Sequence, residues 1–265
     1  LESVAGLPLV CQWQTAPDRE PRLVAGLPEI APLSFAEFQV APSPAPATDE
    51  ADQLRVDDHH LENRFFRLVL DSDLRLVSIH DNVRGRNVLP EGTCGNEWQL
   101  YEDKPGNYNA WDIIRNYEDH PVALPNWDTV QVVEDEPLSC AIRLSRTFSQ
   151  SQGAQVIRLH RDIPRIDFET WIDWQETEKL LKVAFPLTVK SRFYTTDTSA
   201  GGLERDNHCN TSWQEARFEV CHHKWVDLSE GLFGVALLND GRYGCDVRDN
   251  VVRISLLKAT IRPDP

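Results

Sequence analysis

The sequence contains no methionine and opens on Leu1 rather than on an initiator. That start reads as the middle of a longer polypeptide, although processing would leave the same trace. No apolar run approaches the ~20 residues a membrane-spanning helix needs. No basic start followed by a short apolar stretch marks a secretory leader. Basic residues are in deficit: 27 Lys and Arg stand against 42 Asp and Glu, for a net charge of −15. Nucleic acid and anionic membranes select basic patches, so this balance argues against both as partners. It is compatible with a neutral ligand such as a sugar, and equally with an acidic surface that serves solubility alone. The cysteines, Cys11, Cys94, Cys140, Cys209, Cys221 and Cys245, form no CxxC pair and no disulfide framework for a chain this long. Reduced thiols in a cytoplasmic setting are the default. GxSxG, Walker A, HExxH and dinucleotide fingerprints are all missing.

With 265 residues, 41% of them hydrophobic, the chain can build one large β domain or two smaller ones. Residues 1–40 alternate short apolar runs with Pro and Gly, as in GLPLVCQWQ and PLSFAEFQV, and read as a small β module. Residues 41–53 are Pro, Ala and acidic residues without periodicity, a linker. From 54 to 265 the segments are short and rich in β-branched and aromatic residues. RFFRLVLD and LRLVSIHD flank a DSD turn and read as a hairpin. Further strands are expected at 129–135, 139–148, 154–162, 165–174, 179–187, 232–240 and 251–259. In SCAIRLSRTF, Ile142 and Leu144 alternate with Arg143 and Ser145, the period of a half-buried strand. No long stretch keeps a 3.6-residue apolar period. The expected fold is all-β, a large antiparallel β-sandwich.

Several constellations could carry chemistry. The stretch ERDNHCNTSWQEARFEVCHHKWVDLSE, 204–230, holds His208, Cys209, Cys221, His222 and His223. Two thiols and three imidazoles suggest metal, but adjacent side chains on a strand point to opposite faces and rarely share an ion. The segment TCGNEWQLYEDKPGNYNAWDI, 93–113, mixes Glu97, Glu102, Asp103 and Asp112 with Trp98, Tyr101, Tyr108 and Trp111. Aromatic faces stack on the C–H faces of a pyranose and carboxylates accept its hydroxyls, so this pattern suits a sugar. A surface loop with its aromatics tucked into the core would look the same. In LLNDGRYGCD, 237–246, an apolar strand meets Asn-Asp-Gly, a hairpin signal, followed by Arg242 and Tyr243. A rigid turn can hold an arginine over a ligand; turn chemistry alone also explains the string. Mutarotase or lyase chemistry would need a His and a Glu converging on one sheet face, with His160, His208 and Glu219 as candidates.

The order of GNEWQLYEDKP, YNAWDI, LLKVAFPL, ERDNHCNTSWQEARFEV, HKWVDLSEGLFGVALLNDGRYGCDV and VVRISLLKA resembles the C-terminal region of glycoside hydrolase family 38 α-mannosidases, in their cytosolic, vacuolar and bacterial branch. The resemblance runs from Leu61 to Pro265 and is most specific over Glu204–Pro265. It implies a galactose-mutarotase-like supersandwich as the large β domain. Residues the family pattern marks include His208, Trp213, Glu219 and His223; Cys209, Cys221 and His222 fall outside it, so the resemblance implies no zinc finger here. It implies a parent that hydrolyses terminal α-linked mannose with retention, using zinc or a similar divalent cation and an Asp nucleophile. Those groups belong to an N-terminal α/β barrel and helical bundle, which are expected as this region's partners, with mannose-containing oligosaccharide as substrate and homo-oligomers compatible. No catalytic residue and no metal ligand is expected in this chain, and the isolated chain is expected to be inactive. By motif position, Asn96, Glu97, Asp112 and Arg242 are the expected substrate-binding residues at the pocket rim. Tyr108 and Asn109 depart from the tryptophan–aspartate form the family favours there. The alternative is a non-catalytic carbohydrate-binding or scaffold module using the 93–113 loop, with Trp98 or Trp111 as the stacking residue.

Overall fold

The computed structural model describes residues 2–3, 9–16, 19–27, 29–39, 54–106 and 109–261. The linker expected at 41–53, and Tyr108, lie outside the described residues.

Where local chemistry dictates structure, the strands form as read. Phe66–Leu70 pairs antiparallel with Leu76–Asp81. Asp71 closes the turn between them, its carboxylate accepting from the backbone N–H groups of Asp73 and Arg75. Thr129–Asp135 and Ser139–Phe148 occupy the predicted segments end to end. The other predicted strands form with their ends shifted by a few residues. The α-helix among the described residues is one turn, Ser212–Glu215, whose N-cap Thr211 accepts from the Gln214 N–H.

The content is all-β, but the expected single sandwich is corrected. The described strands divide into sheets of six, five, four and four strands plus two two-stranded pairs. The four larger sheets stand as a four-bladed, propeller-like ring. Alternation along a strand reveals which face is buried, not which strand lies beside it. Lys179–Pro186 follows Ile166–Asp173 in sequence, yet pairs with Glu97–Glu102 and Val251–Lys258. Likewise Phe233–Leu238 pairs with Trp225–Glu230, whereas Gly244–Arg248 pairs with Val251–Lys258. The Asn-Asp-Gly turn is therefore a crossover between sheets and not a hairpin.

The six-stranded sheet runs Pro121–Val122, Glu97–Glu102, Lys179–Pro186, Val251–Lys258, Gly244–Arg248, Val220–Cys221. Its inner face carries Trp98, Leu100, Leu181, Val183, Cys245 and Ile254 into the main core. Its outer face carries Gln99, Lys182, Asp246, Arg253 and Ser255, with Tyr101 and Leu180 packed on Tyr117 in a small separate cluster. Trp98 joins this sheet to the four-stranded sheet of residues 129–173. Its ring lies 5.0 Å from Trp127 and 6.4 Å from Phe148, edge-on in both cases. On the far side of the four-stranded sheet, Arg158 grips Glu134 through two bonds of 3.0 and 2.8 Å. Glu134 accepts from Ser139 Oγ, which accepts from Gln12 Nε2. That chain of bonds moors the strand Cys11–Ala16 to the four-stranded sheet.

Gly153 is required by the close seat of Trp98: a Cβ there would stand 2.7 Å from the indole ring. Gly153→Ala is expected to destabilise the chain by about 1–3 kcal/mol through overpacking. The midpoint of urea unfolding, followed by circular dichroism, measures it.

Candidate functional site

The expected rim residues occupy three places. Asn96 is buried, and its backbone takes φ 54°, a left-handed turn that Asn tolerates. Its amide donates to Gln155 Oε1 at 2.6 Å, and Gln155 Nε2 donates to Thr170 Oγ1 at 2.8 Å. Asn96 thus holds the start of its strand rather than presenting its amide to a ligand. The next residue, Glu97, is exposed and accepts from Gln99 Nε2 at 2.9 Å. Asn96 and Glu97 both line one open cleft, together with Trp98, Trp127 and Arg146.

Asp112 is exposed and caps its own loop, accepting from the Ile113 N–H at 2.9 Å. Its carbonyl accepts from Lys258 Nζ, which also meets the buried Asp103 at 3.2 Å. The aromatic pair of this segment separates: Trp98 is 4% exposed and belongs to the core, whereas Trp111 is 71% exposed. Of the two, Trp111 is the one with a ring face open to a sugar.

Arg242 is exposed on the crossover turn. Its N–H donates to Asn239 Oδ1 at 2.6 Å, and Gly241 takes φ 91° to close the turn. Beneath it lies His222, fully buried. Its Nε2 faces the Asn239 amide nitrogen at 2.8 Å and so accepts; its Nδ1 then carries the proton and donates to the Tyr243 carbonyl at 3.1 Å. Burial holds the His222 pKa below the usual imidazole range, which keeps the ring in this neutral form. Asp197 fixes the opposite wall, one oxygen accepting from the N–H groups of His223, Lys224 and Trp225.

Register separates these places. Glu97 stands opposite Ala184, Ala184 opposite Arg253, and Arg253 opposite Asp246. Lys258, which holds Asp112, stands opposite Leu180 in the row of Tyr101. The chain upstream of Gly244, where Arg242 sits, runs toward that same end. Four residues at ~3.4 Å each put Glu97 roughly 13 Å from the Tyr101 row. Asp112 and Arg242 therefore share one end of the sheet, and Asn96 and Glu97 occupy the other.

Between the two ends lies a charge network that sequence reading missed. Lys182 is fully buried, with Glu219 Oε2 and Asp246 Oδ2 each at 2.6 Å. Tyr117 Oη donates to Asp246 Oδ2 at 3.0 Å, and Arg253 Nη1 reaches Asp246 Oδ1 and Glu118 Oε1, both at 2.8 Å. Burial pushes the Asp246 carboxyl upward, but Lys182 and Arg253 outweigh it and hold the pKa below the ordinary range. The legible signal was a lysine inside the apolar run LLKVAFPL, a position that demands a partner.

The His/Cys stretch does not converge. His222 is consumed as above, Cys209 Sγ sits 2.9 Å from Arg248 Nη1, and His208 lies 4.0 Å from Asp206. Among the described residues no three His, Cys, Asp or Glu side chains gather as metal ligands, so the residues in hand do not fit the zinc that the resemblance implies for the parent. The mutarotase trio is likewise dispersed: His160 pairs with Asp167 at 2.8 Å, and Glu219 is bound to Lys182 and Ser255.

With the geometry in hand, comparison with known proteins identifies the family. The profile of the glycosyl hydrolases family 38 C-terminal domain matches residues 61–265. The chain belongs to this family. Among curated relatives, human Alpha-mannosidase 2C1 is 39% identical over 206 residues, covering 77% of this chain and 20% of that protein. An Alpha-mannosidase of Saccharomyces cerevisiae is 34% identical over 196 residues, covering 71% of this chain and 18% of that protein. This family 38 domain thus spans about a fifth of the relatives it matches. The crystal structure of an alpha-mannosidase from Enterococcus faecalis V583 superposes over 95% of this chain and 32% of its own, with a TM-score of 0.67 at 15% identity, a likeness of fold. Among the described residues no helix is long and apolar enough to cross a membrane.

The Lys182 network makes a stability prediction for this family 38 domain. Asp246→Ala leaves a buried ammonium short of a partner and is expected to cost about 3–5 kcal/mol in urea unfolding at pH 7. Replacing the ammonium and both its carboxylates, as Lys182→Met with Asp246→Leu and Glu219→Gln, should recover part of that loss. Because the folded pKa of Asp246 is depressed, its contribution is complete above the unfolded value near ~4 and declines as pH falls below it. Unfolding midpoints measured from pH 7 to pH 3 check the sign.

Proposed function

We propose that this chain is the C-terminal part of an α-mannosidase that hydrolyses terminal α-linked mannose. The match of residues 61–265 to the family 38 domain, shared with relatives named alpha-mannosidases, carries this reading. In it, the nucleophile and a zinc-type divalent cation reside in the remainder of the longer protein, an N-terminal barrel and helical bundle against which this domain packs. The chain's own contribution is the rim. Arg242 offers an exposed guanidinium, carried on a braced turn, to sugar hydroxyls, and Asp112 at the same end of the sheet offers a carboxylate. Free thiols at Cys94, Cys140, Cys209, Cys221 and Cys245 support a cytoplasmic setting.

Hydrolysis of an aryl α-mannoside tests the reading. The purified chain should show no turnover with or without added zinc or cobalt, and addition of the N-terminal remainder should restore it. Chelator-sensitive turnover by the chain alone would overturn the division of labour. In the full-length enzyme Arg242→Ala should lower kcat/KM by about tenfold or more, the scale of one lost charged hydrogen bond. The exposed Trp111 beside Asp112 favours one second reading, a non-catalytic carbohydrate-binding module. In that case mannobiose would quench the fluorescence of the chain alone, and Trp111→Ala would abolish the response.

A further inference from the structure

The cleft beside Glu97 contains a buried cation that forms no ion pair. Arg146 is 7% exposed, and among the described residues its guanidinium takes part in no salt bridge. Its Nε has no hydrogen-bond partner, and its Nη1 makes one long bond, 3.4 Å, to the Pro125 carbonyl. The guanidinium lies 3.6 Å from the Trp127 ring centroid and 5.0 Å from that of Trp98. Cation–π attraction offsets part of the cost of burying this charge, but it supplies no acceptor. Trp98 is another residue of the cleft wall, and its Nε1 is buried without an acceptor. Burial holds the Arg146 pKa down at about 10, opposed by the nearby charge of Asp128. That carboxylate is already engaged by the Thr147 N–H at 2.8 Å.

We propose that this cleft binds a small organic monocarboxylate, seated on Arg146 and Trp98 Nε1. The donors are fixed by the ring packing, and a planar carboxylate matches the guanidinium edge. A neutral hydroxyl would satisfy the hydrogen bonds but leave the charge uncompensated. The other charged groups at the cleft do not compete. Arg75 is bound to Asp71 at 2.6 Å, and Glu97 faces solvent at the mouth. Glu97 repels a second negative charge, which favours one carboxylate over two. Leu74, Leu76 and Leu124 line the remaining wall and suit the C–H face of a ring-shaped body. This site is distinct from the Arg242 end of the sheet and does not depend on the mannosidase reading.

The test is a titration of the full ¹⁵N-labelled chain with D-glucuronate, with D-glucose as the uncharged counterpart and inorganic phosphate as a non-carboxylate anion. The Trp98 indole N–H resonance should move saturably with glucuronate and stay still with glucose. Arg146→Gln, in a chain whose circular dichroism matches the parent, should weaken binding by about tenfold or more. Glu97→Gln, at an exposed position, should tighten it. Absence of a saturable shift up to about 20 mM, a weak-binding limit, overturns the proposal. So does an equal response to glucose, or a response to phosphate alone. Should Arg146→Gln fail to fold, Glu97→Gln decides: unchanged or weaker binding overturns the proposal.

Discussion

Lys182 is the group around which the six-stranded sheet is organised. A lysine with no solvent exposure must either lose its charge or find partners. It finds Glu219 and Asp246 at 2.6 Å each, and the Tyr117 ring at 4.7 Å. These come from segments far apart in the chain, so satisfying one ammonium fixes several elements at once. A slip of one residue in Lys179–Pro186 would turn Lys182 into the apolar core and set Val183 among carboxylates. The same network draws Tyr117 down onto the sheet and so settles the loop that carries Trp111 and Asp112.

A parallel arrangement governs the neighbouring blade. Arg158 and Glu134 are both buried on the face opposite the shared core, and Ser139 and Gln12 extend their hydrogen bonds to the N-terminal strand pair. In both sheets the inner face is mainly apolar, with Arg146 and Gln155 as its polar members in the four-stranded sheet, while the outer face is charged and particular. Apolar packing on the inner faces supplies most of the burial. The buried ion pairs on the outer faces determine which segment covers which sheet, because an unpaired charge there costs far more than a poorly packed methyl group.

Strand positions were legible because they rest on local signals. Ile142 and Leu144 alternate with polar neighbours, and Asp71 closes a turn within five residues. Sheet membership was not legible, because it depends on partners a hundred residues away. The Asn239–Gly241 string shows the difference: its residues do form a tight turn, yet the strands it joins belong to different sheets. At the site, motif order brought attention to Asn96, Glu97, Asp112 and Arg242, but not to their separation across the sheet. Trp98 looked like a binding aromatic and is a core residue, since its chemistry is the same in both settings. His222 falls outside the family pattern, yet it is the ring that holds the Arg242 turn in shape. Nothing in its neighbours distinguishes it from His223; only its full burial does.

Exposure of the functional candidates follows from the same topology. Arg242 and Asp112 both lie where the chain leaves the six-stranded sheet, one on a crossover and the other in the covering loop. A crossover cannot use ladder hydrogen bonds, so its backbone groups must be satisfied by side chains. Asn239 and Asp197 supply those bonds, and His222 locks Asn239 in turn. The guanidinium of Arg242 is thereby left free while its backbone is held. An arginine in a regular strand would have its direction set by the pleat and its partners chosen by adjacent strands. Displaced onto a braced turn, it can face whatever packs against that end of the sheet.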